Sequence, residues 1–360
     1  MMTRRSSFAV ALAPALAGAP LATISARSMR LDLVNTWTTV MSSSDYRETL
    51  GVTVVSQGVT GIGEGAPIVR YNESAAQGME IVRGLEALFS GADLTQYVKQ
   101  LDRVFAKVEG AWATKAAIDI ALHDWAAKKL GVPLWKMWGL DRNDAPLTTF
   151  SIGIDKAEVI RRKVREAAAY PVLKIKVGLA NDEEVMEAVR AETKKPLRVD
   201  ANEGWKSVDE AVRKIKWLEK QGVELIEQPL PASMLREMGE IRKRVEMPIF
   251  ADECCLHPED IPRIAPYFDG VNVKVDKAGG LHQAMRMIEM ARALKLKVMV
   301  GCMVSSSLAI TAAAQLSPLI DYADLDGNLL IKNDPYEGVK VVSGKLVLPV
   351  RPGVGVIARK

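Results

Sequence analysis

The sequence predicts an α/β protein in which a TIM-type (β/α) barrel follows a separate α+β domain. Three observations carry that prediction. From about residue 147, eight short apolar runs rich in β-branched residues recur about 22–27 residues apart, the spacing of strand–helix units. Amphipathic stretches such as residues 208–221 and 281–294 fill the gaps. Upstream, residues 30–140 read as strands followed by helices with no alternation, the pattern of a self-contained α+β unit. A doubly wound open sheet is the competing architecture. It usually has fewer strands, and no glycine-rich phosphate turn follows the first run.

The totals exclude several function classes. A chain of 360 residues has room for two domains. The net charge of +4 is small and dispersed, with no basic run carrying interleaved aromatics, so nucleic acid is not expected as a partner. Cys254, Cys255 and Cys302 are odd in number and form no disulfide framework. Beyond the amino-terminal segment, no stretch approaches the roughly 18 uninterrupted apolar residues of a membrane span.

Residues 1–26 stand apart. Arg4-Arg5 precede an apolar run rich in Ala, Leu and Pro, from Phe8 to Ala22. Ala17-Gly18-Ala19 and Ile24-Ser25-Ala26 both end in small residues suited to cleavage. This is the layout of a secretory signal, and Thr3 before the arginine pair points to the twin-arginine route. The expectation is a periplasmic protein whose mature chain starts after Ala19 or Ala26. Without cleavage it would be cytoplasmic.

The first domain is expected over residues 27–145. Its strands are residues 30–34, 50–55 and 60–64, with a polar loop from Thr39 to Thr49 that is either a lid or simply exposed. Helices follow at 75–88, 95–108 and 111–130, the last stopped by Gly131 and Pro133. The barrel is expected over residues 146–334, with strands at 148–152, 172–177, 197–201, 224–227, 249–252, 271–275, 298–302 and 322–326. No clean helix follows the last, because Asp334-Pro335 and Gly338 lead into further extended segments.

The second strand carries Lys174 and Lys176, which alternation places on one face. Two ammonium groups side by side in an apolar strand disfavour one another, so both pKa values are expected to fall, which would suit a base. A surface strand with two solvated lysines would read the same on its own. The next three strands end on Asp200, Glu227 and Asp252. A single acid at a strand end is usually a helix cap or an ion-pair partner, but catalytic residues of barrels sit at these ends. Three converging carboxylates repel unless a cation lies among them, and all-oxygen ligation suits Mg²⁺.

The sixth strand carries Lys274, four strands away from Lys174 and Lys176 and hence across the barrel. A carboxylate substrate held at the metal would meet a lysine on each face of its α-carbon. That fits removal of a proton from one face and its return to the other, through an enediolate stabilised by the divalent ion. Lys277 competes for the second role, but Ala278-Gly279-Gly280 place it in a loop. The eighth strand ends on Asp324 and Asp326, on one face, able to hold a substrate ammonium or merely to cap a surface turn. His123, His257 and His282 fall outside the strand ends, so a lysine–histidine base pair is not expected. The cysteines lack a histidine partner and read as packing residues.

With these residues in place, the chain resembles the enolase superfamily, in its muconate lactonizing enzyme subgroup, over nearly everything after about residue 30. The likeness rests on Lys174-Ile175-Lys176, Asp200-Ala201-Asn202, Glu227-Gln228-Pro229, Asp252-Glu253, and Lys274 followed by Gly279-Gly280. It implies a capping α+β domain and a modified (β/α)7β barrel, with residues 335–360 packing near the cap. It implies that Asp200, Glu227 and Asp252 bind Mg²⁺ and that Lys176 and Lys274 are the acid/base pair. Lys174 would contact the substrate carboxylate and lower the pKa of Lys176. Asp324-Leu325-Asp326 resembles the dipeptide epimerases, where the motif binds the substrate's α-ammonium, and Thr36-Trp37-Thr38 and Arg70-Tyr71 resemble that group's capping segments. Where such enzymes often place an arginine for a side-chain carboxylate, this chain has Met41-Ser42, with Arg47 the candidate to substitute. The resemblance therefore implies a Mg²⁺-dependent dipeptide epimerase, expected as a homo-oligomer. A cycloisomerase or o-succinylbenzoate synthase would share the lysines and metal ligands but not need the Asp324/Asp326 pair. An exported binding protein would not need both lysines, and a Schiff-base lyase would need one lysine and no carboxylate triad.

Overall fold

Three antiparallel strands open the protein: β1 (Thr23–Thr38), β2 (Ser43–Ser56) and β3 (Val59–Gly65), in the order β1-β2-β3. The computed structural model describes residues 22–360, so most of the proposed signal, and the cut after Ala19, lie outside the described residues. The first strand begins earlier than the sequence reading had it. Ile24 pairs with Val54 and Ala26 with Val52, and Ile24, Val52 and Val54 share one buried cluster. A cut after Ala26 would remove these rungs, whereas a cut ahead of Thr23 leaves the sheet whole.

The expected polar loop at 39–49 is mostly strand. β1 and β2 continue as a ribbon past β3, out to Trp37 opposite Ser44 and Thr38 opposite Ser43, with a register break between Asp32 and Trp37. The β2 arm of this ribbon, from Ser43 to Glu48, carries no aliphatic residue, so it lacks the alternation that marks a half-buried strand.

The helices of the cap are α1 (Ala75–Gly84), α2 (Glu86–Phe89), α3 (Tyr97–Lys107) and α4 (Trp112–Leu130). From Ala113 to Ala127 every residue of α4 is buried. Its alanines let it lie directly on β3, where a Cβ added at Gly61, Gly63 or Gly65 would overlap the carbonyl oxygens of Ala121, Ala117 and Ala113. Gly131, in the left-handed region at φ 71, closes α4, and Pro133 precedes α5 (Leu134–Met137).

The rest alternates. β4 (Phe150–Ile152), α6 (Ala157–Glu166), β5 (Leu173–Lys176), α7 (Asp182–Glu192), β6 (Leu197–Asp200), α8 (Val208–Lys220), β7 (Val223–Glu227) and α9 (Leu235–Arg242) make the first half. β8 (Ile249–Ala251), α10 (Asp260–Ile264), β9 (Gly270–Lys274), α11 (Val275–Ala278), α12 (Leu281–Ala293), β10 (Lys297–Gly301), α13 (Ser307–Ala314) and β11 (Tyr322–Asp324) make the second. The eight strands pair in sequence order, all in parallel. Thr148 bridges in parallel to Ala323, which brings the two ends of the sheet together. That closure replaces the open-sheet alternative. After β11 only a 3₁₀ turn (Gly327–Leu330) and short strands follow: β12 (Tyr336–Glu337), β13 (Lys340–Val342), β14 (Lys345–Val347) and β15 (Ile357–Ala358). The carboxy-terminal segment is tied to the end of α4, where Val354 N donates to Asp124 Oδ1 at 2.8 Å and Leu134 N to Gly353 O at 3.0 Å. No helix of the described residues is long and apolar enough to cross a membrane.

Inside the barrel, Leu225, Phe250 and Met299 pack with Tyr322 as a small cluster. Each lies two residues before a position at the top of its strand (Glu227, Asp252, Gly301 and Asp324), so alternation makes an apolar floor under a charged mouth. Carboxylates at the joint with the cap hold the two units together. Glu64 on β3 accepts from Ser306 N at 3.0 Å and Ala309 N at 3.2 Å, at the start of α13. Asp119 on α4 accepts from Leu281 N at 2.7 Å, at the start of α12, and Asp276 accepts from Ala66 N at 2.8 Å. His123, expected in a helix of the first domain, is buried in α4 beside Asp119.

Candidate active site

Parallel strands buried on both faces are apolar runs, and a charge is tolerated only where they end. Asp200 ends β6 and Glu227 ends β7, while Asp252 follows β8 by one residue. All three are buried, and one oxygen of each lies within 4.8 Å of the others. The lysines meet them one by one. Lys176 Nζ lies 2.5 Å from Asp200 Oδ2 and Lys274 Nζ 2.7 Å from Asp252 Oδ2. Lys174 Nζ reaches Glu227 Oε2 at 2.8 Å, Asp324 Oδ2 at 2.6 Å and Asp200 Oδ2 at 3.4 Å.

The electrostatics follow from this pairing. Burial pushes the Asp252 carboxyl up, but Lys274 and Lys277 more than offset it and hold it well below the usual range. Asp200 is likewise lowered, against its burial, by Lys176 and Lys174. Glu227 goes the other way: burial first, then the Asp200 charge, push it up to about 8. Three buried carboxylates this close do not all ionise freely, and a divalent cation among them is the compensation their chemistry asks for. Their all-oxygen donor set fits a hard ion such as Mg²⁺.

Two expectations need correction. Lys174, expected to have a depressed pKa, has a raised one, and Lys274 across the barrel is raised with it. Burial pulls each down, but carboxylates raise both: chiefly Asp324, Glu227 and Asp200 for Lys174, and Asp252 and Glu227 for Lys274. Like charges along one strand are outweighed by carboxylates that reach in from neighbouring strands, which no local stretch of sequence displays. Nor is Lys277 in a loop. It sits in the four-residue helix α11, buried, and its Nζ donates to Asp252 Oδ1, to Asp252 O at 2.6 Å and to Cys255 O at 3.1 Å. With its three donors taken, it braces Asp252.

Asp324 and Asp326 both lie at the barrel mouth, though β11 ends at Asp324. Asp324 Oδ1 accepts from Thr149 Oγ1 at 2.5 Å, and Lys174 helps hold its carboxyl down at about 2 against burial. Asp326 Oδ2 accepts from Ser151 N at 2.5 Å; burial and then the Asp324 charge push it up to about 7. The direct pairing of Lys174 with Asp324 joins the carboxylate triad to this acidic pair.

The two arginines sit differently. Arg70 NH2 pairs with Glu203 Oε2 at 2.5 Å and NH1 contacts Met41 Sδ at 3.5 Å, so it ties the cap to the loop after β6 and to the ribbon tip. Arg47 stands opposite Leu31 in the ribbon, on the face by which Leu31 packs with Val304 and Ile331. It is half-buried, and burial lowers its pKa. Its donors reach only the neighbouring Tyr46 O, at 3.1 Å, and no ion pair involves it among the described residues.

Sequence reasoning gave no role to several neighbours of the triad. Asn272 Nδ2 donates to Glu227 Oε1 at 2.8 Å, and Asn202 Nδ2 donates to Glu253 Oε1 at 3.0 Å. The signal for Asn202 and Glu253 was present, since both follow a strand-end carboxylate, but a polar residue after a strand is ordinary.

Comparison with known proteins agrees with this architecture. Residues 157–359 match the family described as Enolase C-terminal domain-like, and residues 35–139 match the Mandelate racemase / muconate lactonizing enzyme, N-terminal domain. The chain is 40% identical over 330 residues to the L-Ala-D/L-Glu epimerase of Bacteroides thetaiotaomicron, covering 91% of this chain and 85% of that protein. It is 41% identical over 330 residues to the L-Ala-D/L-amino acid epimerase of Pedosphaera parvula, covering 89% and 94%. Among solved structures, the dipeptide epimerase of Enterococcus faecalis V583, complexed with Mg and the dipeptide L-Leu-L-Tyr, superposes with a TM-score of 0.88 at 28% identity, covering 94% of this chain and 100% of that one. The chain therefore belongs to the enolase superfamily, carrying both domains of its mandelate racemase/muconate lactonizing enzyme group.

Proposed function

We propose that the protein is a Mg²⁺-dependent dipeptide epimerase that inverts the α-carbon of the C-terminal residue by 1,1-proton transfer between Lys176 and Lys274. The observation that carries this reading is a lysine on each side of a buried carboxylate triad, from strands β5 and β9, four apart in an eight-stranded barrel. Asp200, Glu227 and Asp252 would hold the metal. Bound there, it would supply charge that stabilises an enediolate. One lysine, as the free amine, takes the α-proton while the C–H electron pair passes into the carboxylate. The other, as the ammonium, returns a proton to the opposite face. Asp324 and Asp326 would take the α-ammonium. Lys174, between that pair and the triad, would meet the substrate carboxylate. Incubating the protein with Mg²⁺ and a dipeptide library in D₂O tests the reading: α-deuterated, epimerised dipeptide is expected. No exchange into any dipeptide would overturn it.

The second residue of the dipeptide is the finer question. The Arg47 guanidinium, partly desolvated and without a carboxylate partner among the described residues, favours an anionic side chain. Hydrogen bonds to charged groups are worth about 1.5–3 kcal/mol, so Arg47→Met should cut kcat/KM about 10–100-fold for dipeptides ending in Glu or Asp. Dipeptides ending in neutral residues should be unaffected. An equal loss on both classes would show that Arg47 supports the ribbon and not the substrate. Arg70, engaged by Glu203, would shape the same rim.

Residues 1–21 remain proposed as an export signal, supported by Arg4-Arg5 and the apolar run and requiring a cut ahead of Thr23. Amino-terminal sequencing of protein from its native host should find that cut, in protein outside the cytoplasm. An intact Met1 in the cytoplasmic fraction would count against it.

A further inference from the structure

We infer that Asn202 and Glu253 are positioning residues that hold a water on the metal bound by Asp200, Glu227 and Asp252, each accepting one of its hydrogens. The inference rests on the metal assignment proposed above. The two side chains are joined by the bond from Asn202 Nδ2 to Glu253 Oε1, at 3.0 Å. Asn202 Oδ1 and the other Glu253 oxygen, Oε2, are buried and have no hydrogen-bond partner among the described residues. Both residues are only 8% exposed. A buried acceptor left unpaired costs about 1–3 kcal/mol, and native proteins leave few such atoms without a water or an ion to serve them.

Position says which. Asn202 lies two residues after Asp200 and its amide donates to Asp200 Oδ1 at 2.9 Å. Glu253 directly follows Asp252. Asn202 and Glu203 are held at φ 42 and 65, two successive left-handed residues, of which glutamate is poorly suited to that region. Strain of this kind persists where the surroundings fix it for a purpose. Glu203 is fixed at both oxygens, by Ala232 N at 2.6 Å and by Arg70, so the loop that presents Asn202 is anchored from both sides.

The two orphan atoms are both acceptors. A water bound through its oxygen to a divalent cation turns both hydrogens outward and can only donate. Two acceptors on side chains joined across the mouth, from the loops that follow β6 and β8, are its complement. Mg²⁺ sheds its waters reluctantly and usually keeps several. Three carboxylates from the chain leave positions for substrate and for such a water. Residues that orient groups on a metal typically change its affinity about 10–100-fold when lost.

The test uses the full chain, stripped with EDTA and titrated with Mn²⁺ by calorimetry, with water-proton relaxation measured on the complex. Glu253→Gln preserves shape but cannot accept at both terminal atoms. Asn202→Gly keeps the left-handed backbone and changes no charge, which separates loss of the water's partner from loss of a carboxylate. Both variants should raise the Mn²⁺ dissociation constant about 10–100-fold. Both should also alter the relaxation enhancement per bound Mn²⁺, with the metal-free melting temperature unchanged. Wild-type affinity and relaxation in both variants would overturn the inference. So would weakened binding that appears only together with a lowered metal-free melting temperature, which would make the pair a structural clasp. A wild-type protein that binds no Mn²⁺ would overturn the metal assignment itself.

Discussion

Asp200→Asn, Glu227→Gln and Asp252→Asn should each reduce turnover about 10³-fold or more, the effect of losing several kcal/mol of charge stabilisation. The three substitutions differ in what they do to the fold, and the order follows from the lysines. Asp252 is the partner of two ammonium groups, Lys274 at 2.7 Å and Lys277, so Asp252→Asn leaves both short of a counter-charge and should be the least stable. Asp200→Asn frees Lys176, whereas Lys174 keeps Glu227 and Asp324. Glu227 is the one carboxyl of the three that burial and a neighbouring charge push upward, to about 8. It is therefore largely protonated near neutral pH without metal, so the amide changes little charge, and Glu227→Gln should melt no lower than the metal-free wild type while being as inactive as the others. Polarimetry or NMR of epimerisation, metal analysis and thermal melting on the three purified variants check this. EDTA should abolish wild-type activity and Mg²⁺ restore it. Full activity in EDTA, with no metal on the protein, would sink the assignment of the triad.

All eight barrel strands were legible because each is a local signal: an apolar run, buried on both faces, that stops at a charged or small residue. The strand ends were less so. Asp252, Val275, Cys302 and Asp326 lie one or two residues beyond the paired ladder, where the chain already turns although the alternation continues. Residues 23–26 were read as part of a signal because small and apolar residues serve an export segment and a cap strand equally well. The β2 arm of the ribbon, Ser43 to Glu48, carries no aliphatic residue and so shows no alternation. Lys277 was misplaced because α11 spans only four residues, too few to show a helical period. The pairing of Lys174 with Asp324 joins positions 150 residues apart, and the capping of α12 and α13 by Asp119 and Glu64 crosses from one unit to the other. Neither leaves a local trace. The triad escaped this limit because three successive strands repeated the same ending.

Removing either lysine of the base pair should stop epimerisation in both directions while leaving a slow, stereospecific exchange. Inversion needs a proton taken from one face and another delivered to the opposite face, so neither Lys176 nor Lys274 can perform it alone. Exchange needs only one of them. In Lys274→Ala, Lys176 can take the α-proton of one stereoisomer, trade it with D₂O and return deuterium to the same face, giving labelled dipeptide of unchanged configuration. Lys176→Ala should do the same for the other stereoisomer through Lys274. The geometry favours these variants as clean probes. Asp200 keeps Lys174 at 3.4 Å when Lys176 is lost, and Asp252 keeps Lys277 when Lys274 is lost, so neither change leaves a carboxylate of the triad without a positive neighbour. Loss of a positioned base costs about 10²–10⁴-fold, which sets the expected fall in epimerisation, read by ¹H NMR as loss of the α-proton signal with and without inversion. A single-lysine variant that still interconverts the two diastereomers at the wild-type rate would remove that lysine from the mechanism. The second base would then have to be sought among groups that can reach the opposite face, a search in which Lys277 starts at a disadvantage because its three donors are already spent on Asp252 and Cys255.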